Sequence, residues 1–242
     1  MQRIAYYSYI YSIYHIIFGM ELDKISKSPI FKGLSIDEIR DILSNVHHNI
    51  VHLAKDEILA MQGEPCNRLI ILIEGSVKGE MVNASGKVVK VEDIHSPNPL
   101  AILFLFGNDN SFPVEVTAKE KVSALILPKQ SVLKMLQRNE QVLTNYLNVS
   151  ARYATFLSRK LHIMSFCSIR QKLAMYFLEL INPEEIEAEL SMTQTAMAEY
   201  FGVSRPALAR ELSNMQEEQL IEVDRKRIKI VNRTKLTYLV SF

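Results

Sequence analysis

Arg205 and Arg210 sit in a run, residues 192–215 (MTQTAMAEYFGVSRPALARELSNM), whose residue types can bring guanidinium groups to a nucleic acid. Arginine's planar fork meets two acceptors at once, such as O6 and N7 of guanine. That chemistry needs a small, rigid support. The surrounding residues read as two short helices joined by a tight turn. Thr193 or Ser191 caps the first, whose apolar positions include Ala196, Met197, Tyr200 and Phe201. Gly202 breaks it, because glycine enters a left-handed turn without a Cβ penalty. Val203 fills the turn. Ser204 caps the second helix, with Pro206 in the first turn, where a missing N–H costs nothing. Leu208 and Leu212 face inward; Arg205 and Arg210 face outward. An ordinary helical hairpin inside a core has this pattern, and so does a helix-turn-helix that reads the major groove.

The residues that follow favour the second reading. IEVDRKRIKIV reads as two β-branched strands around a charged turn at 224–226, a hairpin placed where a wing would be. It brings Arg225, Lys226, Arg227, Lys229, Arg233 and Lys235, with no acid after Asp224, and such a cluster can sit on phosphates. For Arg210 the competing role is a solvated ion pair with Glu211 or the acids around Glu217.

The elements that must carry this run occupy a 242-residue chain of net charge +1, so a general basic coat is absent. Glu184, Glu185, Glu187, Glu189, Glu217, Glu218 and Glu222 surround the helix pair while the wing is basic, so DNA binding would rest on local geometry. Cys66 and Cys167 are the only cysteines. They give neither metal-ligand spacing nor a disulfide framework, which fits a reducing, cytoplasmic setting, and four thiolates for an iron–sulfur cluster are lacking. No Gly-rich phosphate loop, nucleophile elbow or HExxH pair is present, so an enzyme is not expected. Residues 4–18 hold Tyr6, Tyr7, Tyr9, Tyr11 and Tyr14. The stretch is short for a membrane span and lacks the marks of a signal peptide. It reads as an extension, with Met20 as an alternative start, or as an added element packed on the fold.

Ser35 opens a short amphipathic helix over 36–46. From residue 50 to 128 the chain turns to short β-rich runs with turns at 55–56, 62–63, 75, 84–86 and 108–110, which implies a β-sandwich or rolled sheet. A helix is expected from Ser131 to about Phe166. Leu143, Leu147, Ser150, Ala154, Leu157, Leu161 and Met164 recur in it at spacings of 4 and 3, a heptad seam suited to a parallel dimer. Ser165–Ser168 is a natural hinge.

Three stretches together resemble the Crp/Fnr family of bacterial transcription regulators: DEILAMQGEPCNRLIILIEGSVKG with turns at Gly63 and Gly75, the long helix ending at Phe166, and the helix pair with its wing. The resemblance covers roughly residues 28–242. It implies an α+β chain with an N-terminal extension (1–27), a jelly-roll-like, cyclic-nucleotide-binding-like β-roll sensor domain (28–130), a dimerisation helix (131–166) and a C-terminal winged helix-turn-helix domain (167–242). It implies a homodimer on double-stranded DNA that meets RNA polymerase and touches no membrane. By position, Thr193, Gln194 and Ser204 would contact phosphates or the groove edge, Arg205 and Arg210 base edges, and Arg225, Lys226 and Arg227 the flanking backbone. Pro206 departs from the glutamate of well-known members, so the target sequence should differ from theirs.

The family's phosphate cassette needs a Gly-Glu pair for ribose and an Arg-Ser/Thr pair for the cyclic phosphate. Here Ala101 and Ile102 take the first places, and Phe112 and Pro113 the second. Without a cation or oriented donors a phosphate cannot be desolvated, so cyclic AMP and cyclic GMP are not expected to bind in the usual way. Ile102, Leu103, Phe112, Val114, Leu157 and Ser158 would line either an apolar pocket or a filled core. No cofactor is expected. The competing reading is a haem- or redox-gas-binding sensor, with His47, His48, His52, His95 or His162 as iron ligand.

Overall fold

The computed structural model describes residues 21–82 and 88–241. The tyrosine-rich stretch, Met20 and the turn expected at 84–86 lie outside the described residues. The chain divides into two compact units, Met1–Ala154 and Thr155–Phe242.

In the first unit residues 21–26 are helical, and Leu22 and Ile25 are 0% and 1% exposed in the core. The boundary expected at residue 27 is therefore too late, because these two side chains belong to the fold. Ser28 caps a short 3-10 turn, Pro29–Phe31. Ser35 and Glu38 form a reciprocal capping box at the start of α1, Ile36–Ser44, which buries Ile39 and Leu43.

Two four-stranded antiparallel sheets follow. One has the order β1 (Asn49–Leu53), β8 (Val122–Pro128), β3 (Arg68–Glu74), β6 (Pro99–Leu100). The other has the order β2 (Ile58–Ala60), β7 (Glu115–Ala118), β4 (Ser76–Val82), β5 (Val88–His95). The apolar run of β3 is explained by its two covered faces. Ile70 and Leu72 join a cluster with Val77, Val116 and Ala118 of the other sheet. Leu69, Ile71 and Ile73 point the opposite way, into a cluster with the helical elements. Gly75 is fixed at the β3–β4 turn: its φ is +81°, and a Cβ there would lie 2.3 Å from the Lys121 carbonyl oxygen.

The helix expected over 131–166 is two helices, α2 (Lys129–Arg138) and α3 (Glu140–Ser165). Asn139 between them is extended, at φ −136° and ψ 110°, and its side-chain oxygen accepts from the Val142 N–H. A capping side chain here competes with helix continuation. Along the first half of α3, Val142, Tyr146 and Val149 are buried, with Tyr153 packed against the same cluster. Buried Asn145 donates to the carbonyls of Ile30 and Lys32, at 3.0 and 2.8 Å. Most heptad positions fall elsewhere on the helix: Leu143, Leu147, Ala154, Leu157, Leu161 and Met164 are exposed, while Ser150 is half-buried.

In the second unit, Ser165 ends α3 and Ser168 caps α4 (Ile169–Leu180) with Gln171 in a second capping box, so the expected hinge is a change of helix. Then come β9 (Glu187–Glu189), α5 (Gln194–Phe201), α6 (Arg205–Glu217), β10 (Ile221–Asp224), β11 (Arg227–Ile230) and α7 (Arg233–Val240). One apolar cluster built on Leu173, Phe177, Phe201, Leu208, Leu212, Ile228 and Leu236 joins the helices to a three-stranded sheet of order β10-β11-β9. Among the described residues no helix is long and apolar enough to cross a membrane.

Candidate nucleic-acid interface

The helix pair forms as its local chemistry dictates. Thr193 is the N-cap of α5, its hydroxyl accepting from the Ala196 N–H at 3.2 Å, and Gln194 is the first helical residue. Met197, Ala198 and Phe201 are buried beneath. Gly202 takes φ +67°, and the Val203 N–H returns to the Ala198 carbonyl at 3.0 Å, closing the helix in a left-handed cap. Ser204 caps α6 by accepting from the Ala207 N–H, with Pro206 in the first turn. Leu208, Leu212 and Met215 hold α6 to the core.

The opposite face of α6 is Pro206, Arg210, Ser213 and Glu217, at spacings of 4, 3 and 4, all exposed, with Arg205 exposed at its N-terminal edge. Ser213 was not singled out from sequence, although it stands three residues beyond Arg210 on the same helix face. Two of the acids expected to compete for Arg210 are engaged elsewhere, while Glu217 is exposed on the same face. Glu211 accepts from Nε of Arg170 at 2.6 Å, and Glu218 accepts from both terminal nitrogens of Arg170 at 2.9 and 2.7 Å. These bonds hold the Glu218 carboxyl below the usual carboxylate range and push the Arg170 guanidinium up. Among the described residues, Arg205 and Arg210 make no side-chain hydrogen bond or ion pair.

The wing is a two-residue hairpin whose strands pair from Ile221↔Ile230 to Asp224↔Arg227. Arg225 at its tip has φ +50°, which a side-chain-bearing residue adopts at a cost of about 1–2 kcal/mol. Arg225, Lys226 and Arg227 are exposed. The basic cluster is smaller than sequence suggested. Lys229 pairs with Glu222 at 3.0 Å. Arg233 donates to the carbonyls of Asn182 and Ile181, closing the end of α4. Lys235 belongs to α7. The unforeseen strand β9 also brings acids back: Glu189 lies opposite Arg227, and Glu187 opposite Lys229. Three residues give a weak strand signal, and EAE has no apolar alternation to reveal it.

The four first-unit residues expected to line a β-roll pocket fall in two separate clusters. Ile102 (3% exposed) and Leu103 belong to the helix-facing cluster; Phe112 (1% exposed) and Val114 belong to the cluster between the sheets. Leu157 and Ser158 are exposed on the part of α3 that belongs to the second unit. The physical reason is the two-sided sheet, which sends neighbouring apolar residues into separate cores. The described cavities lie elsewhere: one of about 570 Å³ is lined by His52, Glu74, Glu120, Lys121 and Ser123 among others, and one of about 340 Å³ by Arg170, Leu220 and Tyr238 among others.

A cyclic nucleotide does not fit the residues present. Phe112, at a position where the phosphate would need a cation, fills the space between the sheets. Arg68 lies over its ring at 5.3 Å, but its guanidinium is bonded to Glu64 (2.6 Å) and the Leu59 carbonyl (3.2 Å). Ala101 takes φ +53°, so the backbone keeps a left-handed step although the residue is not glycine. Among the described histidines, His47 and His48 are neighbours in the loop before β1, His52 lies on β1, His95 on β5 and His162 on α3. His52 bonds Ser123 Oγ at 2.9 Å, Nδ1 of His48 lies 3.2 Å from the Val46 carbonyl, and His162 packs on Phe166. Among the described residues no three His, Cys, Asp or Glu side chains cluster as metal ligands.

Comparison with known proteins gives two family matches. Residues 50–139 match the cyclic nucleotide-binding domain, and residues 171–239 match the Crp-like helix-turn-helix domain. The probable transcriptional regulator flp of Lacticaseibacillus casei is 24% identical over 84% of this chain and 92% of its own. Two solved structures share the fold. A CooA variant from Carboxydothermus hydrogenoformans is 15% identical, with a TM-score of 0.59 over 87% of this chain and 92% of that one. The catabolite activator protein of Thermus thermophilus is 19% identical, with a TM-score of 0.51 over 88% and 98%.

Proposed function

We propose, from the premise that the chain belongs to the Crp/Fnr family of transcription regulators, that it is a homodimer reading a near-palindromic DNA site without control by cyclic AMP. The observation that carries this reading is the state of α6. Its outer face holds arginines with no partner among the described residues, while the neighbouring acids Glu211 and Glu218 are occupied by Arg170. In this reading α6 enters the major groove. Arg205 and Arg210 reach base edges and Ser213 lies between them and the backbone. Thr193, Gln194 and Ser204, at helix N-termini with unpaired N–H groups nearby, meet phosphates. Arg225, Lys226 and Arg227 follow the flanking backbone.

The dimer in this reading forms through the exposed seam of α3, from Leu143 and Leu147 to Leu161 and Met164, which a second copy would cover. Two readers then dock about 34 Å apart, one turn of the duplex. Selection from a random duplex library, followed by anisotropy at several salt concentrations, tests this. The expected result is an enriched palindrome whose affinity falls steeply with salt and is unmoved by cyclic AMP. Failure to enrich any inverted repeat would sink the DNA-reading proposal; a large gain in affinity with cyclic AMP would sink the pocket argument alone.

A further inference from the structure

The side of α3 that faces its own unit carries two hydroxyls the reading above does not use. Tyr146, 6% exposed, donates to the Ile102 carbonyl at 2.8 Å. Tyr153, two turns further on the same face, donates to the Pro99 carbonyl at 3.3 Å. Both acceptors lie in one short stretch, β6 and the turn after it. That stretch is bent by Ala101 at φ +53°, sealed by buried Ile102 and Leu105, and packed by Phe106 edge-on against Tyr146 at 6.0 Å. Burial pushes the Tyr146 hydroxyl far above its ordinary range and that of Tyr153 up to about 12, so both remain donors at any physiological pH. The exposed seam, Leu143, Leu147 and Ala154, is one residue and thus about 100° round the helix from the latched face, Val142, Tyr146 and Tyr153. Fixing the latched face therefore fixes the direction in which the seam looks.

We propose that Tyr146 and Tyr153 are positioning residues: their hydroxyls bolt the stretch from Pro99 to Ile102 to α3 and so set the face that α3 offers to a second copy. This rests on the reading of the chain as a dimeric DNA-binding regulator. A loose α3 would still let each reader bind a half-site, but would lose the gain from binding two at once.

The test uses the full chain, a palindrome enriched by selection, and a duplex carrying one half-site. Wild type is expected to bind the palindrome about 100-fold more tightly than the half-site. The double variant Y146F/Y153F is expected to lower that ratio about tenfold while half-site affinity stays within about twofold. A stability defect alone reduces the active fraction equally on both duplexes and leaves the ratio unchanged, which would overturn the proposal. Should the double variant lose its native circular dichroism, Y153F alone, lacking only the 3.3 Å bond, is expected to lower the ratio about threefold. An unchanged ratio there overturns the proposal equally. If wild type enriches no palindrome, it is the regulatory reading that falls.

Discussion

At Gly202 and at Ala101 the backbone takes the same left-handed step, with φ of +67° and +53°, yet the two turns lead to opposite surroundings. After Gly202 the chain presents exposed side chains, Ser204, Arg205 and Pro206, and lets the next helix run outward. After Ala101 it presents Ile102, 3% exposed, and its carbonyl to a tyrosine of the same unit. In the winged unit Arg170 occupies Glu211 of α6 and Glu218 just beyond its end, so neither pairs with Arg205 or Arg210. In the β-roll unit Arg68 is paired with Glu64, and the carbonyls of Pro99 and Ile102 accept from Tyr153 and Tyr146. A surface for a ligand needs unsatisfied groups, and of these two turns only the one at Gly202 keeps them.

The sharpest way to break this contrast is to empty the β-roll. Phe112→Ala should lower the stability of the first unit by about 3–5 kcal/mol in urea unfolding, as expected for a packed aromatic rather than a pocket lining. A loss under about 1 kcal/mol would mean the site is spacious after all. Next, Arg205→Ala and Arg210→Ala should each cost about 1–3 kcal/mol of base discrimination in competition binding, with the thermal midpoint unmoved. Lys226→Ala should weaken all sequences alike and reduce the salt slope by about 1. At the turns, Gly202→Ala should cost about 1–2 kcal/mol from backbone strain, since its Cβ would meet only the end of Met164 at an ordinary 3.5 Å. Ala101→Gly should instead stabilise by about 0.5 kcal/mol, the strain relieved slightly exceeding the added chain entropy.

The smallest effect is one of pH. Glu218 is held below its unfolded value by the bonds from Arg170, so its contribution is present above the unfolded carboxylate range and lost as pH falls through the folded value. The thermal midpoint of wild type should therefore exceed that of Arg170→Gln at neutral pH, and the gap should narrow below about pH 4. A gap that stays constant with pH would show that Arg170 acts by packing alone.

Local chemistry made much of the winged unit legible. The caps Thr193 and Ser204, the break at Gly202, the inward Leu208 and Leu212 and the hairpin turn at 225–226 each follow from a residue and its immediate neighbours. The same holds for the cap at Ser35 and the turn at Gly75. Asn139 marked the break between α2 and α3, but the apolar periodicity runs on past it and hides a single capping side chain.

Nothing in the chain's local order could show which acid meets which base. Arg170 reaches Glu211 and Glu218 across 41 and 48 residues, Arg233 reaches back 51 to Asn182, and β9 lays Glu187 and Glu189 beside the wing. Those long-range pairs decided which cations of the winged unit stay without an acid beside them. In the first unit it is the two-sided packing of the sheet that puts Ile102 and Phe112, near each other in sequence, in different cores. The sequence by itself determined the helix pair and its wing, because a helix-turn-helix is built from short-range caps, turns and periodicity. The state of the β-roll was decided only in the tertiary structure, because whether an apolar residue lines a cavity or fills it depends on what the other sheet and helices place against it.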